Sequence, residues 1–558
     1  MMSNLRKDSS TIEVEIKDLG IYSVVRGTTL GELADSLQDE VTYPVVGGII
    51  HNTMRDLSRR LEEDTTMEFV NLNGEDGAGI YRRSAAFLLI KACRDEFPDR
   101  KIMIKHTLSN GLYCEFVGYE CTASDVEQIK ARMVDLIQKD LMIRRSLMSR
   151  REAEEIFISQ EQIDKTQILA ARGRKNAHVY ELDGFYEYFY GHMVHRTGVL
   201  DRFDLLYYTP GMVLQTPRKG DQGQIQEYHE QPKLAAIYQE AKQWADMLEL
   251  PTLSALNAMI DAGNIDDVIR VNEALHEKKI AHIADKICSD PNIRVVLISG
   301  PSSSGKTTFA QRLLIQLRVN GRKPVSISLD NYFIDKVKTP LDEDGDYDFE
   351  AIEALKLDLF NEHLGQLIDG EEVELPVYNF KNGTCETKGL LMKVPEGEPI
   401  IIEGIHGLND RLTWSIPTEQ KFKIYISALT QLNIDRSNRI PTTDSRLLRR
   451  IIRDSRTRGY EALDTIKRWP SVRRGEEKNI FPFQENADIM FNSSLMYELA
   501  VLKPIAEPLL EQITPDSREY IEARRLLKFL SYFHAVPTTS IPPNSILREF
   551  VGDSWFRT

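Results

Sequence analysis

The chain has 558 residues, which predicts three to four domains at about 150 residues each. Its apolar fraction of 42% and charged fraction of 28% are typical of a soluble globular protein and exclude a mainly disordered, collagenous or coiled-coil chain. A formal net charge of −15 argues against strong non-specific binding to nucleic acid or to an anionic membrane, although it leaves room for a local basic site.

Residues 1–75 are predicted to form a small β-grasp domain. The runs IEVEIKD and IYSVV alternate apolar and polar residues, as the two strands of a half-buried hairpin do. Thr29 then opens a short helix in TLGELADSL, with Leu30, Leu33 and Leu37 on one face. The runs VVGGII and MEFVNL supply further strands.

Residues 76–225 are predicted to form an α+β domain, and residues 226–290 a helical connector. The domain opens with the helix RRSAAFLLIKACRDEF and continues through the strands KIMIKHTL and LYCEFVGY and a polar helix. It ends in the aromatic stretch FYEYFYGHMV. The connector contains two runs of helical pattern, KLAAIYQEAKQWADML and IDDVIRVNEALHEKKIAHIADKIC.

Residues 291–515 are predicted to form an α/β domain with a doubly wound parallel sheet. The strands RVVLIS, VSISLD, IIIEGI and FKIYIS are separated by helical runs. Near-continuous apolar strands of this kind indicate a parallel sheet covered on both faces. Residues 516–558 hold one helix, YIEARRLLKFLSYF, and a proline-containing tail, so the predicted fold class is multidomain, α+β and α/β.

The segment GPSSSGKTT contains a GxxxxGK[ST] phosphate-binding loop between the strand RVVLIS and the helix TTFAQRLLIQL. In such a loop the backbone N–H groups at the helix start point at phosphates. Lys306 can reach the β- and γ-phosphates, and the Thr307 hydroxyl can hold Mg²⁺. The sequence therefore predicts ATP and Mg²⁺ as cofactors, with the nucleotide bound by Gly300, Pro301, Ser302, Ser303, Ser304, Gly305, Lys306, Thr307 and Thr308.

Two carboxylates follow strands that a parallel sheet would place beside this loop. Asp330 ends VSISLD, and the carboxyl ends of neighbouring parallel strands face one crevice, so Asp330 could accept a proton from an attacking hydroxyl. The alternative for Asp330 is an ordinary strand-end residue that caps a turn. Glu403 ends the strand in PIIIEGI, the usual place of an acid that positions Mg²⁺ or its water. The NKxD type of specificity motif does not occur, which disfavours a GTPase.

A basic segment lies between Arg436 and Arg474, where eleven arginines and one lysine stand against four acids. Guanidinium groups on a helix in this segment could clamp phosphoryl oxygens and offset the charge of a transition state. A solvated basic face and an RNA contact are the alternatives. Four of the arginines share one helical face, with apolar residues on the other: Arg446, Arg449, Arg450 and Arg453.

Residues of about 291–510 resemble the uridine kinase and phosphoribulokinase family of P-loop kinases. The resemblance rests on GPSSSGKTT, SLDNYF, GDYDFEAIEAL, LPVYNF, IIIEGIHGL, RLLRRIIRDSRTRG and ENADIMFNSS, in the order of the family. It implies that Asp330 is the base on the 5′-hydroxyl of a nucleoside and that Asp348 binds the ribose hydroxyls, with Tyr347 beside it. The implied catalytic residues are Asp330, Lys306, Arg449, Arg453 and Arg458, and the implied aromatic contacts to substrate are Phe333, Tyr378 and Phe380.

The sequence departs from the uridine and cytidine kinases just after this aromatic segment. Those kinases continue PVYDF with a short stretch that contains a base-reading histidine. Here the run is PVYNFKNGTCETKG, with Asn379 in place of the aspartate and no histidine nearby. The resemblance therefore implies phosphorylation of a hydroxyl and leaves the nucleobase open.

The first 225 residues resemble the N-terminal part of threonyl-tRNA synthetase. Residues of about 10–72 resemble its β-grasp module, called TGS, and residues of about 76–215 resemble its editing domain, through YRRSAAFLLIKA, SNGLYCEF and GFYEYFYGHMVHRTG. The editing pocket of that family is lined by two histidines of an HxxxH helix and by a later cysteine and histidine. The aligned positions are Phe87, Lys91, Phe189 and Met193, which implies a degenerate site that neither activates water nor holds a metal.

The leading hypothesis is an ATP-dependent nucleoside kinase, uridine kinase-like, with a nucleoside as substrate. One alternative is an RNA-associated regulator switched by nucleotide binding, supported by the synthetase-like half and the arginine-rich segment. Another is a P-loop kinase of a different small alcohol, such as a phosphorylated sugar or a pantothenate-like compound. The other expected partners are tRNA or an amino acid at the N-terminal half and, by analogy with related kinases, further copies of the chain.

A cytoplasmic location without a membrane partner is expected. No stretch approaches the roughly 18 apolar residues of a membrane-spanning helix, and the N-terminus lacks a signal-peptide pattern. The five cysteines form no CxxC pair, which suits reduced thiols in the cytosol.

Overall fold

The computed structural model describes residues 10–341, 345, 347–379, 382–386, 389–430 and 432–556. The first region is a five-stranded sheet, in the order β2-β1-β5-β3-β4, with one helix. β1 and β2 form the predicted antiparallel hairpin, and the helix begins at a capping box of Thr29 and Glu32. The elements are β1 (Thr11–Ile16), β2 (Gly20–Val25), α1 (Leu30–Ser36), β3 (Val45–Ile50), β4 (Thr53–Arg55) and β5 (Thr65–Asn71).

The second region contains a four-stranded sheet, in the order β11-β12-β7-β6, and a three-stranded sheet, in the order β10-β9-β8. The long helix α2 is buried on all sides over residues 84–93, and α3 packs against it. The elements are α2 (Glu75–Glu96), β6 (Ile102–Leu108), β7 (Gly111–Phe116), α3 (Ala123–Gln138), β8 (Arg144–Ser149), α4 (Arg150–Ser159), α5 (Ile163–Ala171), β9 (Asn176–Leu182), β10 (Phe185–Glu187), β11 (Asp204–Tyr208) and β12 (Gly211–Gln215).

The predicted connector is helical but does not stand apart from the next region. It consists of α6 (Pro232–Met247), α7 (Leu253–Asp261) and α8 (Ile265–Ser289). Buried side chains of α8, such as Ile280 and Ile287, belong to the same apolar cluster as Phe309 and Leu313 of the following α/β region. This segment therefore packs on the first helix and the last strand of that region, and its burial stabilises both parts.

The third region is built on a parallel five-stranded sheet, in the order β14-β19-β13-β20-β21, as the apolar strands predicted. Its elements are β13 (Val295–Ser299), α9 (Lys306–Val319), β14 (Val325–Ser328), α10 (Leu357–Ile368), β15 (Glu372–Leu375), β16 (Tyr378–Asn379), β17 (Thr384–Cys385), β18 (Leu390–Lys393), β19 (Ile400–Glu403), β20 (Lys421–Ser427), α11 (Thr442–Arg458), α12 (Ala462–Asn479), β21 (Ile489–Asn492) and α13 (Glu498–Leu510).

The C-terminal segment also joins this core. It contains α14 (Tyr520–Leu530) and a short helix α15 (Arg548–Val551). Leu526, Phe529, Ile546 and Phe550 are fully buried in the cluster that holds the sheet and α8. Among the described residues, no helix has both the length and the apolar character that crossing a membrane requires.

A buried ion-pair network joins the second region to the third. The Lys165 ammonium group lies 2.5 Å from the Glu187 carboxylate and 2.8 Å from the Asp435 carboxylate, and the three side chains are at most 2% exposed. The Tyr188 and Tyr532 hydroxyls hydrogen-bond nearby at 2.5 Å, which links the second region to the C-terminal segment. The N-terminal half is therefore fixed on the α/β region rather than tethered to it.

We predict that Lys165→Met lowers the free energy of unfolding by about 3–5 kcal/mol, because two buried carboxylates lose their cation. Urea unfolding at neutral pH measures this loss. The matched control is Lys101→Met, which removes an exposed lysine paired with Glu161 and should cost less than about 1 kcal/mol. Equal losses for the two variants would contradict the role assigned to Lys165.

Candidate phosphoryl-transfer site

The phosphate-binding loop runs from the end of β13 to the start of α9, as predicted. A Cβ atom on Gly300 would lie 1.9 Å from the backbone oxygen of Ile426, so only glycine lets β13 and β20 approach this closely. Gly305 has a φ of +86° and directly precedes the first residue of α9. The Lys306 ammonium group donates to the carbonyl oxygens of Gly300 and Pro301, at 2.8 and 3.1 Å. Lys306 therefore bonds back to the first two residues of its own loop.

Side chains of α11 and α12 hold the other side of the loop. The backbone N–H of Ser302 donates to the Glu476 carboxylate at 2.9 Å, and the Arg450 guanidinium donates to the Ser302 hydroxyl at 2.7 Å. Sequence reasoning did not single out Glu476, which lies in a run of mixed charges without a motif. Arg450 belonged to the predicted arginine row, but no role at the loop was assigned to it.

The prediction that the arginine row lies on an open helical face is wrong for two of its members. Arg446 and Arg449 are 1% and 0% exposed, and each is paired with a buried carboxylate, Glu476 and Glu498, respectively, at 2.5 Å. The Arg449 guanidinium also donates to the backbone oxygen of Ser303 at 3.3 Å. Arg449 therefore contacts the phosphate loop itself, and its guanidinium group is buried. The apolar face of α11 is buried as well, so the helix is enclosed on most sides.

Arg453 and Arg458, the other two arginines with an implied catalytic role, remain nearer to solvent. Both pair with Asp454, at 2.9 and 3.4 Å. The charge of Arg458 also acts on Asp330, since Arg458 is one of two cations that oppose the rise of the Asp330 pKa. Arg458 therefore lies near Asp330, the residue for which the sequence implies a contact to the acceptor hydroxyl.

The carboxyl ends of the three strands β14, β19 and β13 bring Asp330, Glu403 and Lys306 together. Asp330 follows β14 in a short 3₁₀ turn, Leu329–Tyr332, and Glu403 is the last residue of β19. Burial lowers the pKa of Lys306, and the charges of Glu403, Glu549, Glu350 and Asp330 oppose this change. Lys306 therefore lies within reach of four negative charges, and two of them, Asp330 and Glu403, stand at the carboxyl ends of parallel strands.

Asp330 has an environment that suits a proton acceptor. Its side chain is exposed to solvent, yet desolvation by the surrounding protein raises its pKa. Lys306 and Arg458 limit the rise. A carboxylate with a raised pKa takes a proton more readily than an exposed aspartate does.

Thr307 and Glu403 fit the predicted Mg²⁺ site. The Thr307 hydroxyl donates to one Glu403 oxygen at 3.2 Å, and the other Glu403 oxygen is buried without a hydrogen-bond partner among the described residues. Mg²⁺ in nucleotide-dependent enzymes takes one or two protein oxygens, and its other ligands are phosphate oxygens and water. Burial raises the pKa of Glu403 to about 7.

A further buried acid, Glu350, was missed by the sequence analysis. Burial and the charge of Glu476 raise its pKa to about 7, while Arg450 and Lys306 oppose this. Its methylene group fills the space next to Gly475, where a Cβ atom would lie 2.6 Å from it. Only its place in GDYDFEAIEAL, two residues after Asp348, could have drawn attention to it.

Two of the predicted aromatic contacts, Phe333 and Tyr378, form a cluster with Phe349. The Phe333 ring lies 5.6 Å from the Tyr378 ring and 6.0 Å from the Phe349 ring, and Tyr347 lies 6.2 Å from Phe349. The Asp348 carboxylate accepts from the backbone N–H of Glu350 at 3.0 Å. Phe380 lies outside the described residues.

The four positions aligned with the editing pocket are closed by packing. Phe87 and Met193 are buried, and the Phe87 and Phe189 rings contact edge to face at 5.8 Å. Lys91 pairs with Asp95 at 2.7 Å. Phe87, Phe189 and Met193 thus belong to the apolar core of this region.

We predict a pH-dependent stability effect of Glu403→Gln. The folded pKa of about 7 lies above the ordinary value of 4.5, so ionising Glu403 costs stability as the pH rises from about 5 to 8. Glutamine removes this cost. The melting temperature of the variant relative to wild type should therefore be higher at pH 8 than at pH 5, measured without Mg²⁺. The control is Glu511→Gln at an exposed position, whose melting temperature relative to wild type should not change with pH. The same pH-independent result for Glu403→Gln would contradict the prediction.

The chain is similar to known proteins in two separate regions. Residues 295–499 match the model of the phosphoribulokinase/uridine kinase family. The N-terminal region is similar to threonine–tRNA ligases. The ligase of Desulforamulus reducens is 31% identical over 159 residues, which are 28% of this chain and 25% of the ligase. That of Aromatoleum aromaticum is 29% identical over 194 residues, which are 34% of this chain and 30% of the ligase.

The chain thus spans about a quarter to a third of the length of these ligases. A solved structure from Bacillus stearothermophilus, described as a possible uridine kinase, is 17% identical with a TM-score of 0.27, and the match covers 38% of this chain and 98% of that one. The match to the family model covers the phosphate loop, Asp330, Glu403 and the arginine-rich helix. The chain therefore carries, at residues 295–499, a domain of the phosphoribulokinase/uridine kinase family.

Proposed function

We propose that the protein transfers the γ-phosphoryl group of ATP to the 5′-hydroxyl of a ribonucleoside. The observation that carries this proposal is the convergence of Asp330 and Glu403 on Lys306 at one edge of the parallel sheet. A phosphate loop alone would serve a hydrolase equally well. A second carboxylate at a neighbouring strand end, Asp330, offers a proton acceptor for an acceptor hydroxyl.

The proposed reaction is an in-line displacement. Asp330 accepts the proton of the 5′-hydroxyl, whose oxygen forms a bond to the γ-phosphorus, while the bond from that phosphorus to the bridging oxygen breaks and ADP leaves. Lys306 holds the β- and γ-phosphate oxygens, and the loop amides hold the rest of the phosphate chain. Mg²⁺, held through Thr307 and Glu403, would neutralise charge on the phosphates. Positioning and electrostatics then account for most of the rate.

A ribonucleoside suits the acceptor side better than a smaller alcohol does. The Phe333–Tyr378–Phe349 cluster offers aromatic surface to a planar base, and Asp348, close to it in sequence and in contact with the Glu350 backbone, could accept from ribose hydroxyls. The Asn379 amide donates to Glu386 at 2.7 Å, so it is engaged within its own hairpin. The nucleobase is left to experiment.

Asp330→Asn should retain nucleotide binding and lose turnover by about 10²–10⁴-fold, the usual contribution of a general base. ADP release in the presence of ATP·Mg²⁺ and a nucleoside measures the turnover, and a fluorescent ATP analogue measures the binding. The blank is Lys306→Ala. Turnover of Asp330→Asn close to that of wild type would remove Asp330 from the mechanism.

The substrate class is tested by a panel of purine and pyrimidine ribonucleosides, a phosphorylated sugar, and pantothenate. Nucleoside-dependent ADP release supports the proposal, whereas a response only to one of the other alcohols assigns the domain to a different acceptor. Adding tRNA without nucleoside tests the alternative of an RNA-dependent switch. Because the four editing positions are filled, we propose that the N-terminal half binds tRNA or an amino acid without hydrolysing an ester.

A further inference from the structure

The C-terminal segment crosses the start of α9. Ile546 contacts Gly305 so closely that a Cβ atom there would lie 2.5 Å from it. The Glu549 carboxylate accepts from the backbone N–H of Thr308 at 3.2 Å and from its hydroxyl at 3.0 Å. Both contacting residues lie well beyond the region 295–499 that matches the kinase family model.

The N–H group that Glu549 occupies is one that a nucleotide needs. Thr308 is the third residue of α9, and the N–H groups of a first helical turn have no partner within the helix. In a phosphate-binding loop these groups point at the anion, which the helix dipole also favours. A carboxylate oxygen at this N–H takes the place of a phosphate oxygen.

Glu549 differs from the other carboxylate on the loop in its charge balance. Glu476, which accepts from Ser302, is neutralised by Arg446 and Arg473, at 2.5 and 3.0 Å. Across the part of the chain that the structure describes, no cation forms an ion pair with Glu549. Its negative charge acts instead on Lys306 and Glu403, in the site itself. A triphosphate would meet this charge directly.

The arginine-rich helix α11 holds the segment in place. The Arg456 guanidinium donates to the backbone oxygens of Glu549 and Phe550, at 2.9 and 3.1 Å. The Arg449 guanidinium lies 5.0 Å from the centre of the Phe550 ring. The segment is therefore attached to the helix that carries the arginines with an implied catalytic role.

We propose that residues 545–552 form an autoinhibitory plug in which Glu549 competes with the nucleotide phosphates for the N-terminal donors of α9. Docking of this segment and binding of nucleotide are then mutually exclusive at Thr308. This inference rests on the proposed function, since it takes ATP as the ligand of the loop. It makes the C-terminal segment a regulator of nucleotide access.

The test compares Glu549→Gln with wild type in the full-length chain. Glutamine keeps an oxygen that accepts from Thr308 but removes the charge, so the variant should bind ATP·Mg²⁺ about tenfold more tightly, measured with a fluorescent ATP analogue. Glu511→Gln removes the same charge from an exposed position outside the site and should bind like wild type. Equal or weaker binding by Glu549→Gln would overturn the proposal.

Hydrogen exchange of the wild-type chain provides a second test that needs no variant. Adding a non-hydrolysable ATP analogue with Mg²⁺ should speed exchange of the amides in residues 545–552 several-fold. Nucleotide binding without any change in these amides would overturn the plug while leaving the kinase proposal intact. If neither wild type nor Glu549→Gln binds nucleotide, and Lys306→Ala behaves alike, the proposed function fails and this inference fails with it.

Discussion

A phosphate-binding loop exposes polar backbone groups that need partners when no phosphate is present, and this requirement organises much of the α/β region. Side chains of the same protein supply these partners. Lys306 donates to two loop carbonyls. Glu476 accepts from the backbone N–H of Ser302, and Glu549 accepts from that of Thr308. These contacts bring α12 and the C-terminal segment to the loop, and Arg449, which is paired with Glu498, donates to the Ser303 carbonyl. Ligand binding has to exchange some of these internal contacts for contacts with phosphate.

The parallel sheet and the phosphate loop could be predicted because their signals are local. Apolar strand runs and a glycine-rich motif act over a few residues, and the strand ends that carry Asp330 and Glu403 follow from the sheet. The fate of the arginines could not be predicted in the same way. Their helical spacing reveals a shared face. The carboxylates that pair with Arg446 and Arg449 come from α12 and α13, and they lie 30 and 49 residues further along the chain.

The regions outside the kinase-family domain are part of the same folded body. The helices of the predicted connector and the C-terminal segment share the apolar core of the sheet, and Lys165 fixes the synthetase-like half to Asp435. Sequence similarity alone suggested separate modules. It relates each segment to a different family and carries no information on how the segments pack against one another.

The central claim is that one edge of the sheet brings a phosphate donor to a sugar hydroxyl. Phosphorus NMR of the protein mixed with ATP, Mg²⁺ and a ribonucleoside tests it most directly. The account predicts consumption of the γ-phosphate signal and the growth of a phosphomonoester signal coupled to the two protons of the ribose 5′-carbon. Release of inorganic phosphate alone, or an ester at another position of the ribose, would contradict it.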